Sequence, residues 1–306
     1  TVKWYQFRIP IREPDKVVGN IEGYSSIRFM RMFLKGFKDD IVIRFATLDL
    51  VRGEWRTYTQ SIQAPGEYQP GDQSNYTMFE MSAVNLEENG SREPVPYVIP
   101  PGIEQEIFTG TTSTVRQNEQ ALQISVEKLV DGDARGVYKT TEFDFRFYKK
   151  LKMFIHGEKM NEDDMLEDGD LTVFLRFGSD LTDNYYEYEV PLVLTPWHTA
   201  VTNEYAIWPE ANNMEIVFDR ITEAKTNRNL AISNGNTEVR TNRLYVEPDG
   251  RNYIKVLGNP TISEVRAMMI GVRNPKKDNE VTRDLSAIIW VNELRLTDLN
   301  NDGGWA

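Results

Sequence analysis

Residues 185–194 read YYEYEVPLVL. Tyr186, Tyr188, Val190 and Leu192 share one face of an extended chain, while Glu187 and Glu189 share the other. That alternation describes an antiparallel strand with one face in a core and one face toward water. The same period recurs on either side of it. In EFDFRFYKK (142–150), Phe143, Phe145 and Phe147 point one way and Asp144 and Arg146 the other. LTVFLRFG (171–178) is apolar on both sides and reads as a central strand. β-Branched and aromatic residues fill these runs, as pleated, half-buried surfaces require.

Helical spacing is rare. In NNMEIVFDRITEAK, Met214, Val217, Phe218, Ile221 and Ala224 follow i, i+3, i+4, i+7 spacing. Asn212 followed by Glu215 has the geometry of a capping box. The pattern predicts one short helix near 212–226. Residues 61–114 differ again. APGEYQPGDQSN and NGSREPVPYVIPPGIEQE concentrate Pro and Gly, which remove ladder donors and weaken strands. This segment reads as an extended connecting arm packed over a surface. Its apolar anchors, Tyr76, Met78, Phe79, Met81, Val84, Tyr97, Val98 and Ile99, are superfluous in a free linker.

One passage is written twice. KVVGNIEGYSSIRFMRM begins at Lys16 and KVLGNPTISEVRAMMI at Lys255. Lys16, Gly19 and Asn20 match Lys255, Gly258 and Asn259. With one residue dropped, Ile27, Arg28 and Met30 match Val265, Arg266 and Met268. IVIRFATLDL then stands against AIIWVNELRL, so Leu48 and Leu50 match Leu294 and Leu296. Three blocks in one order imply two β-sandwiches that close with the same strand–loop–strand unit. The second copy has room for a whole jelly roll; the first has only residues 1–15 ahead of its closing unit. The expected organisation is all-β. Residues 1–60 end a first, incomplete sandwich, 61–114 are the arm, and 115–306 form a complete sandwich. The closing pattern resembles that of galactose-binding-like, carbohydrate-binding β-sandwiches.

Composition narrows the function classes. The 306 residues are 40% hydrophobic and 27% charged, with a net charge of −12 and a pI near 4.9. Nucleic-acid binders present a basic face to phosphate, and an acidic chain without a Lys/Arg cluster argues against that class. The absence of cysteine removes disulfides, thiol catalysis and sulfur-ligated metals together. No apolar run is long enough for a membrane-spanning helix. The first residue is Thr1, and the chain reads as a piece of something longer.

Motifs of catalysis are missing: no P-loop, nucleophile elbow or dinucleotide fingerprint occurs. His156 and His198 lie far apart, and a hydrogen-bonded structural role is expected of them rather than a zinc pair. The many acids fall at outward strand positions or in turns such as NEDDMLEDGD, which a solvated face explains. In DLNNDGG, Asp298, Asn300 and Asp302 with Gly303 repeat the start of a calcium loop. The closing ligand at position 12 falls past Ala306, and a polar turn explains the same residues. VDGDARG, with Asp131 and Asp133, is a lesser candidate. Trp4, Trp55, Trp197, Trp208, Trp290 and Trp305 are candidates for stacking on sugars, a second reading that requires several coplanar, exposed rings.

Longer motifs carry a family resemblance. WYQFRIPI, GNIEGYSSIRFMRMFLKGF, IVIRFATLDLVRGEWR, YVIPPGIEQE, GDARGVYK, LKMFIHGE, MIGVRNP and IIWVNELRLTDLNNDGGWA resemble the SprA/Sov family from end to end. That family is the giant outer-membrane protein of the Bacteroidetes type IX secretion system, related to gliding motility. The resemblance implies an outer-membrane β-barrel translocon for exported cargo, with lipoprotein, plug or shuttle partners. The lipid-facing strands are not in this sequence. The resemblance therefore implies a non-catalytic, cap-like extramembrane domain without a cofactor. It would dock the rest of the translocon polypeptide; the cell-surface side of the membrane is expected for it, with the periplasmic side as the alternative. A carbohydrate-binding module at the cell surface is the alternative.

Overall fold

The computed structural model describes residues 54–59, 62, 76–104, 107–109, 114–116, 119–276 and 283–300, with residues 9, 16, 30–38 and 42–46. The chain divides into two compact units, Thr1–Val51 and Arg52–Ala306.

The second unit is a sandwich of two antiparallel sheets. Its elements follow one another as β1 (Arg56–Thr57), β2 (Met78–Asn85), α1 (Leu86–Asn89), β3 (Ile107–Thr109), β4 (Thr114–Arg116), β5 (Gln120–Leu129), β6 (Ala134–Phe143), β7 (Tyr148–Lys159), β8 (Thr172–Gly178), β9 (Tyr185–Pro191), α2 (Glu204–Ile207), β10 (Met214–Val217), α3 (Phe218–Ser233), β11 (Tyr245–Asp249), β12 (Asn252–Leu257), β13 (Val265–Arg273) and β14 (Leu285–Leu299). One sheet has seven strands in the order β1-β6-β13-β8-β9-β12-β11. The other has five, β10-β7-β14-β5-β2, and β3 pairs with β4 alone.

The inner faces of the two sheets share one continuous core. Val173, Leu175 and Phe177 from β8 meet Tyr186, Tyr188 and Val190 from β9, and both pack with Ile124, Leu151, Met153, Ile155, Ile289 and Val291 of the other sheet. The alternation read at 185–194 is thus the alternation of β9. Residues 171–178 do form a central strand, since β8 lies between β13 and β9. Apolar burial of this extent is the main stabilising term of the fold.

Three expectations change. The helix α3 runs from Phe218 to Ser233, not from 212. Met214 and Ile216 are buried while Glu215 is exposed, so this stretch has period 2 and pairs with β7 as β10. Only Phe218, Ile221 and Ala224 keep the helical spacing, and Arg228 extends that face. Asn212 caps nothing. Its amide is buried, accepting from the Val193 N–H and donating to the Val193 carbonyl at 2.8 and 2.7 Å.

The boundary at 115 also moves. Within the expected arm, β2 pairs along its whole length with β5, and β1, from the segment expected to end the first sandwich, adds to the edge of β6. The rest of the described arm does pack over a surface: Val95 and Tyr97 are fully buried against Trp208 and Trp290. The Pro and Gly content hid a real strand, because MFEMSAVN itself contains neither residue.

Leu294 and Leu296 are half-buried at the edge of the core rather than inside it. A bulge between Asn292 and Arg295 inserts extra residues into β14, and Glu293 adopts φ +54°. The bulge shifts which side chains face inward downstream. The equivalence expected for Leu48 and Leu50 lies outside the described residues.

Candidate docking site

The repeated KVLGN passage closes β12. Val256 is in the core. Gly258 has φ +66°, and a Cβ there would stand 1.9 Å from the Asp183 carbonyl oxygen. Only glycine fits a left-handed residue this close to another backbone. Asn259 donates its N–H to the Asn184 side chain at 2.9 Å, which ties the turn to the loop before β9. Arg228 donates to the Gly258 carbonyl at 2.6 Å and fastens α3 to the same turn. A cleft of about 620 Å³ opens here, lined by residues that include Arg228, Asn229, Thr241 and Asn242 and by no aromatic ring.

Lys255, the first residue of the passage, belongs to a buried charge cluster on the outer face of the seven-stranded sheet. Glu187 accepts from Arg176 Nε at 2.9 Å and from Arg273 Nη1 at 2.8 Å, and lies 3.3 Å from Lys255 Nζ. Glu189 accepts from Arg273, from Lys255 and, at 2.6 Å, from the Thr172 hydroxyl. Cross-strand register builds this arrangement, because Glu187 stands opposite both Arg176 and Lys255.

Burial alone drives the Glu187 carboxyl upward, but Arg273, Arg176 and Lys255 outweigh it and hold the group well below its ordinary value. Burial likewise disfavours the Arg273 cation, and Glu187 and Glu189 reverse that, so its pKa is raised. Three cations face two carboxylates. Arg273 lies over the Phe174 ring at 4.5 Å and Arg176 over Tyr185 at 4.0 Å, which shares out the surplus positive charge. These carboxylates are consumed as acceptors, which suits fixing strands rather than moving protons.

The solvated face expected for Glu187 and Glu189 is therefore corrected. Both are nearly inaccessible to water. The outer face of this sheet carries its own apolar cluster of Ile62, Ala134, Phe174, Leu181, Ala267 and Met269. Alternation reported correctly which residues share a face, but not that a second layer covers it.

The five-stranded sheet has a covered outer face too. His156 is fully buried, with Nδ1 2.6 Å from the Ile207 carbonyl, and its ring stacks on Trp290 at 3.9 Å. Glu158 accepts from Arg92 at 2.5 Å. His198 is exposed in a separate loop, 3.5 Å from Glu93. His156 thus fills the expected hydrogen-bonded role, and the two histidines do not meet.

Of the calcium candidates, Asp298 is exposed with φ +58°, and the Asn300 N–H donates to the Phe147 carbonyl at 2.8 Å. Asp302 and Gly303 lie outside the described residues. Among the described residues no group of three His, Cys, Asp or Glu side chains could hold a metal. Asp133 is buried and paired with Arg135 at 2.5 Å, so its carboxylate is occupied.

The tryptophans do not form a sugar platform among the described residues. Trp208 and Trp290 are buried. Trp55 packs on the core edge beneath Lys139, and half-buried Trp197 donates to the Lys159 carbonyl at 3.2 Å. Trp4 and Trp305 lie outside the described residues.

Exposed apolar surface concentrates in the first unit. Residues 30–38 and 42–46 are all exposed and form no regular element. Phe33, Phe45 and Val42 are 71%, 68% and 91% accessible, and Met30, Met32, Leu34, Phe37 and Ile43 are open as well. Scattered exposed apolar residues are ordinary, but eight of them within two short segments mark a binding surface.

A family model described as motility related/secretion protein, SprA_N, matches residues 1–306. The chain belongs to the SprA_N family. The resemblance drawn from its motifs therefore holds over its whole length, and a secretion- or motility-related role comes with it. No helix among the described residues of this SprA_N chain is long and apolar enough to cross a membrane. No curated protein matches the sequence. Among solved structures, the family 11 carbohydrate-binding module of the cellulosomal cellulase Lic26A-Cel5E of Clostridium thermocellum is similar at 11% identity. That match covers 82% of this chain and 92% of that one, with a TM-score of 0.35.

Proposed function

We propose that this SprA_N chain is a non-catalytic, cap-like extramembrane part of an outer-membrane protein-secretion translocon of the type IX kind. Its work is to frame the pore and dock partners. The observation that carries this reading is the exposed apolar residues at 30–38 and 42–46 in a chain whose other unit is a closed sandwich. A surface of this kind is stable only when something covers it. The rest of the translocon polypeptide, with its β-barrel, is the first partner. A lipoprotein plug or shuttle and the exported cargo are further partners. No cofactor and no nucleic acid enter this reading.

We place the domain on the cell-surface side of the outer membrane. The test is protease access to an epitope in the exposed loop at 161–168, on intact cells and after release of the periplasm. Cleavage on intact cells is the expected result. Cleavage only after the outer membrane is opened assigns the domain to the periplasm and overturns the placement.

A further inference from the structure

We propose that the outer face of the seven-stranded sheet binds one small monovalent anion, of the size of chloride, on the Nε–Nη2 edge of Arg273. This site is independent of the docking role.

The buried cluster carries one positive charge in excess. Arg176, Lys255 and Arg273 are almost inaccessible to water, and among the described residues only Glu187 and Glu189 pair with them. The neighbouring acids are committed elsewhere. Asp133 pairs with Arg135. Asp180 accepts from the N–H groups of Thr182, Asp183 and Asn184 and from the Asn184 amide, which closes its own loop. Tyr185 lies against Arg176, but burial pushes its phenol pKa up, so the hydroxyl stays neutral and is not the balancing anion. A buried cation without a counter-charge is strongly destabilising.

The surplus charge and the unused donors meet at one side chain. Arg273 Nη1 donates to Glu187 at 2.8 Å and to Glu189. Its Nε and Nη2 are buried and find no acceptor among the described residues. These two nitrogens form the edge with which a guanidinium grips an anion. Arg176 has no such edge to offer. Its Nε and Nη2 lie 2.9 and 2.7 Å from one Glu187 oxygen, and its Nη1 donates to the Leu181 carbonyl at 2.7 Å. Lys255 is shared by both carboxylates. The Phe174 ring beneath Arg273 eases the charge without cancelling it. A water molecule on this edge accepts the same bonds and brings no charge, and a divalent oxyanion brings one charge too many. Because the edge is closed to solvent, the ion must be small enough to be enclosed.

The experiment follows thermal unfolding of the 306-residue chain by tryptophan fluorescence, in sodium chloride and in sodium gluconate at equal ionic strength. Gluconate carries the same charge on a body too large to be enclosed. Above the dissociation constant, each tenfold rise in chloride should raise Tm by about 3–6 °C, since the ion binds only the folded chain. Gluconate should give no such rise. Lys255→Met and Arg273→Met each balance the charge count, and Arg273→Met also removes the edge. The chloride increment should vanish in Arg273→Met and shrink in Lys255→Met. Crystals of the native chain soaked in sodium bromide should place the anomalous signal against Arg273 Nε and Nη2, and this measurement requires no variant to fold.

Equal Tm values in chloride and gluconate overturn the proposal. An increment unchanged in Lys255→Met removes the charge argument and overturns it too. So does a bromide map with no peak at Arg273, where a water molecule or a carboxylate of the chain occupies the edge instead. None of these results bears on the docking role.

Discussion

Glu187→Gln isolates the charge cluster with almost no change of volume. In the native chain Glu187 is fully buried, accepts two charge-assisted bonds at 2.9 and 2.8 Å, and lies 3.3 Å from Lys255. The substitution leaves Arg176, Lys255 and Arg273 facing Glu189 alone. Breaking a buried pair by removing one partner costs about 3–5 kcal/mol, because the remaining charges stay desolvated. For a domain of this size each kcal/mol moves Tm by about 2–4 °C, so a fall of roughly 6–20 °C is expected. The assay is thermal unfolding for Tm and urea unfolding for the free energy, both followed by the fluorescence of tryptophans that include the buried Trp208 and Trp290. The acid limb should change as well. Because the folded-state pKa of Glu187 lies well below 4.5, its contribution is fully present above that value and is lost as pH falls through the folded pKa. The variant should therefore lose less stability than the native chain on acidification below about pH 4.5. Glu187→Leu combined with Arg176→Leu should be less destabilised than Glu187→Leu alone. A Glu187→Gln chain within about 1 kcal/mol of native, with an unchanged acid limb, would refute the claim that this cluster fixes the strands.

Two further outcomes follow from packing. Gly258→Ala should cost about 2–4 kcal/mol by thermal unfolding, since its Cβ meets the Asp183 oxygen at 1.9 Å and its φ is +66°. Gly235→Ala, at φ +81° with open space around it, should cost only about 1 kcal/mol. Ile289→Ala, at 1% exposure, should cost about 2–5 kcal/mol, whereas half-buried Leu294→Ala should cost roughly half as much. Equal losses at 289 and 294 would mean that the bulge in β14 does not displace Leu294 from the core.

The β class and the central place of residues 171–178 were legible in period-2 alternation, a local property. The start of α3 was not. Met214 fits a helical spacing with Val217 and Phe218 and a strand alternation with Ile216, and the choice is made by β7, more than sixty residues earlier in the chain, whose edge receives β10. β2 was hidden for a different reason: residues on either side are rich in Pro and Gly, and a composition average blurs an eight-residue strand. Among the site residues, His156 and the KVLGN passage stood out in the sequence, but their partners, Ile207 and Trp290 for His156 and Asp183 for Gly258, are remote in the chain. The charge cluster did not stand out, because its members come from four strands of β8, β9, β12 and β13 that only the topology brings together.

Period 2 states which side chains share a face and is silent on whether that face is wet. Glu187 and Glu189 sit on the face opposite the core, and the usual inference makes them solvent-exposed. Burying an unpaired carboxylate is prohibitive, so such a face can be covered only if cations arrive with the cover or lie in neighbouring strands. Arg176, Lys255 and Arg273 meet that condition from three adjacent positions, and the outer face is closed. At residues 30–38 and 42–46 the pattern and the outcome are reversed. The sequence there repeats strands that are buried in the complete sandwich, and the side chains are exposed. In both places alternation specifies a surface and its partners decide burial. Where the second unit supplies those partners the surface is buried; at residues 30–38 and 42–46 the same kind of sequence is exposed, and that exposure is what suits it to docking.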